Sequence, residues 1–505
     1  MSAAVARAVA ALWLSRAAAI ALNLLLLPLL FRHMEQGELG VWLLMGQAGA
    51  IVALLDFGVT SVLTRRIALA SGQADSGLAE INGLLRSALP LYRAAALCVG
   101  GGGLLVGWAV SARLGLDGAA AVRAGAAWAI LCAAYACAML TNLHMAALTG
   151  LGHVAAGALL SAGVTAAVMG VQCALLPFGG GVVGLAALAL GGAVVQRRAV
   201  RTRLRRYAPG VDAGQGGSSP EILRSLLGAS LRYWLMELGA VALLRTDGLF
   251  IAGTQQPASI PGYAAAYSVV FNLALAAMAV AEAAQVFVSR MWRDQDPAAV
   301  HALVLRSMRA GLALMLCGCA VLAVAGEPLL AAWIGPGHLP GRSVLLIFCA
   351  MLTLYVQQSL LLGFSRATEH EAYAPCYLLA GALNLLLTWV LAGWLGLPGI
   401  ALGTLAAQAL TTSWFVPVSA LRRLGIGWRS YWDGALLPAL AAAVPTGVAT
   451  WMAVRHVPYA APLVQALAGA GTGGGAALAC GWFLVLDAPM RGTVRRRTAA
   501  LVHSR

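Results

Sequence analysis

The sequence predicts an all-α polytopic membrane protein with about fourteen transmembrane helices, and three observations carry that prediction. First, 61% of the 505 residues are hydrophobic and only 10% are charged. The mean hydropathy is +0.84, and no water-soluble globular chain of this size carries such a composition. Second, apolar runs long enough to cross ~30 Å of hydrocarbon, about 20 residues each, recur along the whole chain. Third, the arginines lie asymmetrically about those runs.

Taken in order, the runs fall at 9–31, 39–63, 88–110, 124–147, 154–176 and 179–195, then at 226–251, 262–288, 306–325, 342–364, 376–394, 399–420, 434–453 and 462–486. The first follows Arg7 as a signal peptide would, but it continues to Phe31, too far for a signal h-region. Pro28 is placed to bend it. With a cytosolic N-terminus, 25 arginines fall on the cytosolic side and 5 on the other, namely Arg32, Arg113, Arg123, Arg342 and Arg455. Arg16, Arg232 and Arg245 fall inside spans. This bias supports the span count and puts both termini in the cytosol. The net charge of +15 comes from arginine alone, since there is no lysine. On a membrane chain that balance marks cytosolic loops and attraction to anionic lipids, and no nucleic-acid partner is expected. The nine cysteines show no C-x-x-C spacing, so neither a disulfide framework nor a zinc site is suggested, and no cofactor is implied.

The longest polar interruption, QRRAVRTRLRRYAPGVDAGQGGSSPEILR at 196–224, divides the chain. We expect a six-helix lobe at 1–195, a basic cytosolic linker at 196–225, a second six-helix lobe at 226–425, and two extra helices with a basic cytosolic tail at 426–505. Glycine-centred landmarks recur across the linker: ELGVW (38–42) with PGYAAAY (261–267), LTGLGH (148–153) with LLGFSR (361–366), and GGGVVGLA (179–186) with LPGIALGT (397–404). The order and near-constant offset indicate two parallel repeats, related by an axis along the membrane normal, around a central cavity.

The series ELGVW, LLDFGVTSVLTRR (54–66), LTGLGH, GGGVVGLA, RTDGLFIAG (245–253), LLGFSRATEH and LPGIALGT resembles the oligosaccharide flippases of bacterial polysaccharide biosynthesis. These belong to the superfamily that also holds the multidrug and toxin extrusion antiporters and the lipid II flippases. The resemblance spans roughly residues 9–425 and implies a multi-pass protein of the bacterial inner membrane, working by alternating access. Its cargo would be an undecaprenyl-diphosphate-linked oligosaccharide, moved from the cytosolic to the outer leaflet for lipopolysaccharide or exopolysaccharide assembly. Glycan polymerase or ligase machinery would then be a further partner.

Charges inside spans are costly and point to function. Arg16 and Asp56 each lie nine residues from a boundary arginine, Arg7 and Arg65, which is ~13 Å of helix. Arg232 and Glu282 lie eight residues from Arg224 and Arg290, ~12 Å in. One arginine on each lobe's first helix thus matches one acid on its second. Two readings stay open: each pair locks two helices, or the arginines face the cavity and bind a diphosphate through bidentate guanidinium contacts while the acids hold them in place. Arg245 and Asp247 near the outer end of the seventh span read as interfacial charges reaching water, with a cavity role as the alternative. Glu237 lies five residues past Arg232 and would point elsewhere or balance it. Asn23 and Asn272 would serve as interhelical hydrogen-bond partners or line a sugar path.

Rival functions lack their signatures. A polytopic glycosyltransferase, polymerase or ligase needs a sizeable extramembrane domain, and every outer connection is short, so the chain does not read as an enzyme. No G-x-x-x-x-G-K-[ST] sequence is present to cradle ATP phosphates. The nearest rival is a cation-coupled drug antiporter of the same superfamily, disfavoured by arginines that would repel cationic drugs.

Overall fold

The computed structural model describes residues 21–22, 24–71, 77–104, 118–211, 219–293, 295–368, 372–457 and 462–485, and over them the apolar runs are helical apart from short breaks. No strand occurs among these residues. The chain forms two compact units, Met1–Pro261 and Gly262–Arg505.

The first unit holds α1 (Leu24–His33), α2 (Gln36–Ala53), α3 (Val59–Ala70), α4 (Gly77–Leu97), α5 (Gly118–Gly150), α6 (Val154–Leu175), α7 (Gly181–Tyr207), α8 (Pro220–Leu244) and α9 (Asp247–Thr254). The second holds α10 (Ile260–Arg293, but for its first two residues), α11 (Pro297–Ile334), α12 (Arg342–Arg366), α13 (Ala374–Leu395), α14 (Leu397–Leu410), α15 (Thr412–Leu424), α16 (Trp428–Tyr431), α17 (Leu437–Arg455) and α18 (Pro462–Cys480).

Among the described residues, ten helical stretches are long and apolar enough to cross a membrane, or eleven if α8 counts as one span bent by 49° between Gly228 and Tyr233. Three expected spans are not among these. The first lies largely outside the described residues, the second is broken at Leu54–Gly58, and the third, expected at 88–110, carries Arg93 on α4 and runs past residue 104 out of the described residues. The arginine run expected in the linker instead continues α7 to Tyr207. Arginine and alanine favour helix, and no glycine or proline interrupts them before Pro209. At the start of α8 the Ser219 hydroxyl accepts from the Glu221 and Ile222 amides and Pro220 occupies the first turn, the usual chemistry of a helix start.

Lipid tails are as apolar as leucine, so helices in a bilayer associate by close packing rather than by escape from water. The glycine landmarks perform that task in parallel in the two units. A methyl on Gly150 at the end of α5 would meet the Thr64 carbonyl at 2.7 Å, and one on Gly363 of α12 would collide with the Gln285 side chain of α10. Gly180 and Gly184 at the start of α7 press on Leu175 of α6, as Gly399 and Gly403 of α14 press on Leu391 and Thr388 of α13. The last helix, α18, docks by the same means: Gly469 and Gly473, four apart, seat against Thr450 of α17 and against Ala325 and Val321 of α11.

Candidate functional site

In the first unit, α2–α3 and α8–α9 lie antiparallel. At one end an Arg66 guanidinium N–H donates to the Ser225 hydroxyl at 2.8 Å. Further along, the Trp234 indole N–H donates to the Leu54 carbonyl at 2.7 Å. Beyond that, Gly248 abuts Gln47 and Gly40 abuts the Pro257 carbonyl. The seventh span of the sequence, α8, is thus grouped with the first unit.

The second span breaks at the middle of this seam. After Ala53 the backbone tightens into a 3₁₀ turn over Leu54–Asp56, and then Phe57 (φ 51°) and Gly58 (φ 70°) take left-handed conformations before α3 begins. A broken helix leaves amides without partners, and in lipid each must be satisfied locally. Asp56 does this: its Oδ1 accepts from the Gly58 amide at 2.7 Å, the two-residue turn that short acidic side chains favour. Glycine is required at 58 both by its backbone and by space, since a Cβ would lie 3.0 Å from the Tyr233 ring. Phe57 is bulky for a positive φ, and backbone held in that state marks sites where the surroundings over-determine it. Its ring packs on Trp234 with centroids 5.3 Å apart. Outside it lies a cleft of about 520 Å³ walled by Phe57, Leu223, Leu227 and Leu231, with Arg224 on its lining.

A second break separates α8 from α9 at Arg245–Thr246. The two charges at this break differ in burial. Arg245 is exposed, whereas Asp247 is 8% exposed, tucked into the first turn of α9, where the helix dipole favours a carboxylate. Glu237 is half-buried on α8, and Asn272 on α10 donates to the Ser268 hydroxyl one turn away at 3.3 Å. Arg16 and Asn23 lie outside the described residues, as do the side chains of Arg232 and Glu282. Of the described candidates, Asp56 and Asp247 lie at two separate breaks of the first unit, and Asn272 lies in the second unit. Sequence reasoning missed the Phe57–Trp234 contact and the Gly58 turn. The signal was present in the D-F-G triplet, since Asp and Gly two apart inside an apolar run are turn chemistry.

The second unit carries two features of its own. The first is an apolar groove of about 750 Å³ whose walls include Leu273 of α10, Leu314 and Val321 of α11, and Gly474 and Leu478 of α18. The second is a break at Thr411 between α14 and α15. Around it, the Gln408 amide and the Thr412 hydroxyl are fully buried and have no hydrogen-bond partner among the described residues, and the same holds for Gln358 on α12. Discontinuous helices with polar groups left over are how transporter folds build polar sites in the membrane. Among the described residues, no cluster of His, Cys, Asp or Glu suited to a metal ion occurs.

No family model and no curated protein matches the sequence. Solved structures do. The lipid II flippase MurJ in an inward-closed conformation is similar over 94% of this chain and 99% of that one, at 12% identity with a TM-score of 0.71. An inward-facing MATE-family multidrug resistance transporter of the MOP superfamily is similar over 80% of this chain and 94% of that one, at 16% identity and 0.62. A MOP superfamily transporter from Pyrococcus furiosus Vc1 covers 84% of this chain and 95% of its own length, at 14% identity and 0.56. The chain therefore has the two-lobed, all-helical fold that these MurJ and MATE structures share.

Proposed function

We propose that the protein is a lipid-linked oligosaccharide flippase of the bacterial inner membrane. It would carry an undecaprenyl-diphosphate-linked glycan from the cytosolic to the outer leaflet by alternating access. The observation that carries this reading is the apolar groove of the second unit, to which α18, one of the two helices added after the repeats, contributes a wall. A cargo with a long polyprenyl chain needs such a seat beside the path of its polar head, and a water-soluble drug does not. In keeping with that, the similarity to MurJ takes in 94% of the chain, against 80% for the MATE transporter. On this reading Arg16 and Arg232 grip the diphosphate bidentately, and both termini face the cytosol where the arginine bias puts them.

A strain lacking the protein should keep making the lipid-linked glycan yet leave it on the cytosolic leaflet, out of reach of the polymerase or ligase. Normal surface glycan together with new sensitivity to cationic drugs would support the antiporter instead.

A further inference from the structure

We infer that the groove between α6 and α7 is a binding site for an anionic phospholipid. This inference does not rest on the flippase reading. The groove holds about 460 Å³, and apart from Arg203 its lining is apolar, including Leu159, Val164 and Val171 of α6 and Leu188 and Val195 of α7. Leu159, Val171 and Val195 are 46%, 51% and 56% exposed, so in a membrane this face meets lipid rather than protein. Leu159 to Val171 spans twelve residues, ~18 Å of helix, close to the ~15 Å that one leaflet contributes to the hydrocarbon core. A single acyl chain fits that length.

Charge identifies the lipid class. Arg203, half-buried on the extension of α7, lines the groove and commits one N–H to the Ala156 carbonyl at 3.4 Å. A guanidinium has five N–H donors in all, so the others can meet a phosphate. Arg198, Arg201, Arg205 and Arg206 stand exposed on the same helical extension and make its end strongly attractive to a negative headgroup. The helical continuation of α7 is what carries Arg203 to the groove and fixes the other arginines to the same helix end.

The glycines in the groove supply a test. A Cβ on Gly163 or Gly191, both in the lining, meets nothing within 4 Å, and the same is true of Gly170, outside it. Leucine at any of the three should be tolerated by the fold, but only Gly163→Leu and Gly191→Leu should fill the groove. The full-length protein in detergent is incubated with phosphatidylglycerol or phosphatidylcholine, and bound lipid is counted by native mass spectrometry.

Wild type and Gly170→Leu should retain phosphatidylglycerol in preference to phosphatidylcholine. The groove-filling variants should lose that retained lipid, and Arg203→Gln should weaken it about fivefold, as expected for one arginine at an anionic surface. Equal retention of the two lipids overturns the proposal, as does undiminished phosphatidylglycerol in Gly163→Leu and Gly191→Leu. A dimer that Gly191→Leu converts to monomer without changing the lipid count also overturns it, because the groove would then be an interface between copies.

Discussion

Gly58→Val should strongly destabilise the first unit, lowering stability by about 2–5 kcal/mol. A left-handed backbone costs an L-residue ~1–2 kcal/mol, and forcing a side chain into a packed site adds roughly 1–3 kcal/mol. Gly58 meets both conditions, with φ at 70° and the Tyr233 ring 3.0 Å from the place a Cβ would take. A large fall in thermal unfolding midpoint and in membrane abundance is expected. Substitutions at Asp56 then separate its two roles. Asp56→Asn keeps an oxygen to accept the Gly58 amide and should leave the unfolding midpoint near wild type, while Asp56→Ala removes the turn bond and should cost ~1 kcal/mol, as a lost helix cap does. If Asp56 also holds Arg16 in place, Asp56→Asn will transport poorly at normal abundance. Full transport by Asp56→Asn would reduce Asp56 to its turn.

Gly474→Leu should abolish most of the transport while leaving the fold intact. Gly474 lines the groove of the second unit, and a Cβ there meets nothing within 4 Å, so leucine would extend into the groove. A polyprenyl chain gains little hydrophobic energy by leaving lipid for an apolar wall, since both are equally dry. The groove therefore acts by holding the chain in register with its head, and filling it should slow transport at least about tenfold, equivalent to ~1.4 kcal/mol on the barrier. Gly471→Leu, equally open but outside the groove lining, is the matched control and should transport normally.

These predictions draw unequally on sequence and structure. The fold class was legible because hydropathy and arginine bias are properties of the solvent, summed over the whole chain. The repeat was legible through glycines because close approach in lipid tolerates nothing larger, and Gly150 with Gly363, and Gly184 with Gly403, indeed perform matching packing tasks. Other features were read otherwise or not at all. Asp56 read as one half of an ion pair because a charge in an apolar run asks for a counter-charge, whereas the partner the structure describes is the Gly58 amide two residues away. The pairing of α8 with the second span joins residues such as Trp234 and Leu54, 180 residues apart, and nothing in either segment alone announces it. The apolar grooves were invisible for a related reason: in a membrane protein, a residue facing a groove and one facing bulk lipid have the same composition.

The central claim is tested most directly by reconstitution. Purified protein in liposomes, with a fluorescent undecaprenyl-diphosphate-linked sugar in both leaflets, is assayed by adding an impermeant quencher and following the protected fraction over time. The account predicts that wild type and Gly471→Leu move the inner-leaflet lipid outward into the quencher's reach, while Gly474→Leu and protein-free liposomes leave it protected. Persistent protection with active, folded wild type, in liposomes where the same protein exchanges a cationic drug for protons or sodium, would contradict it.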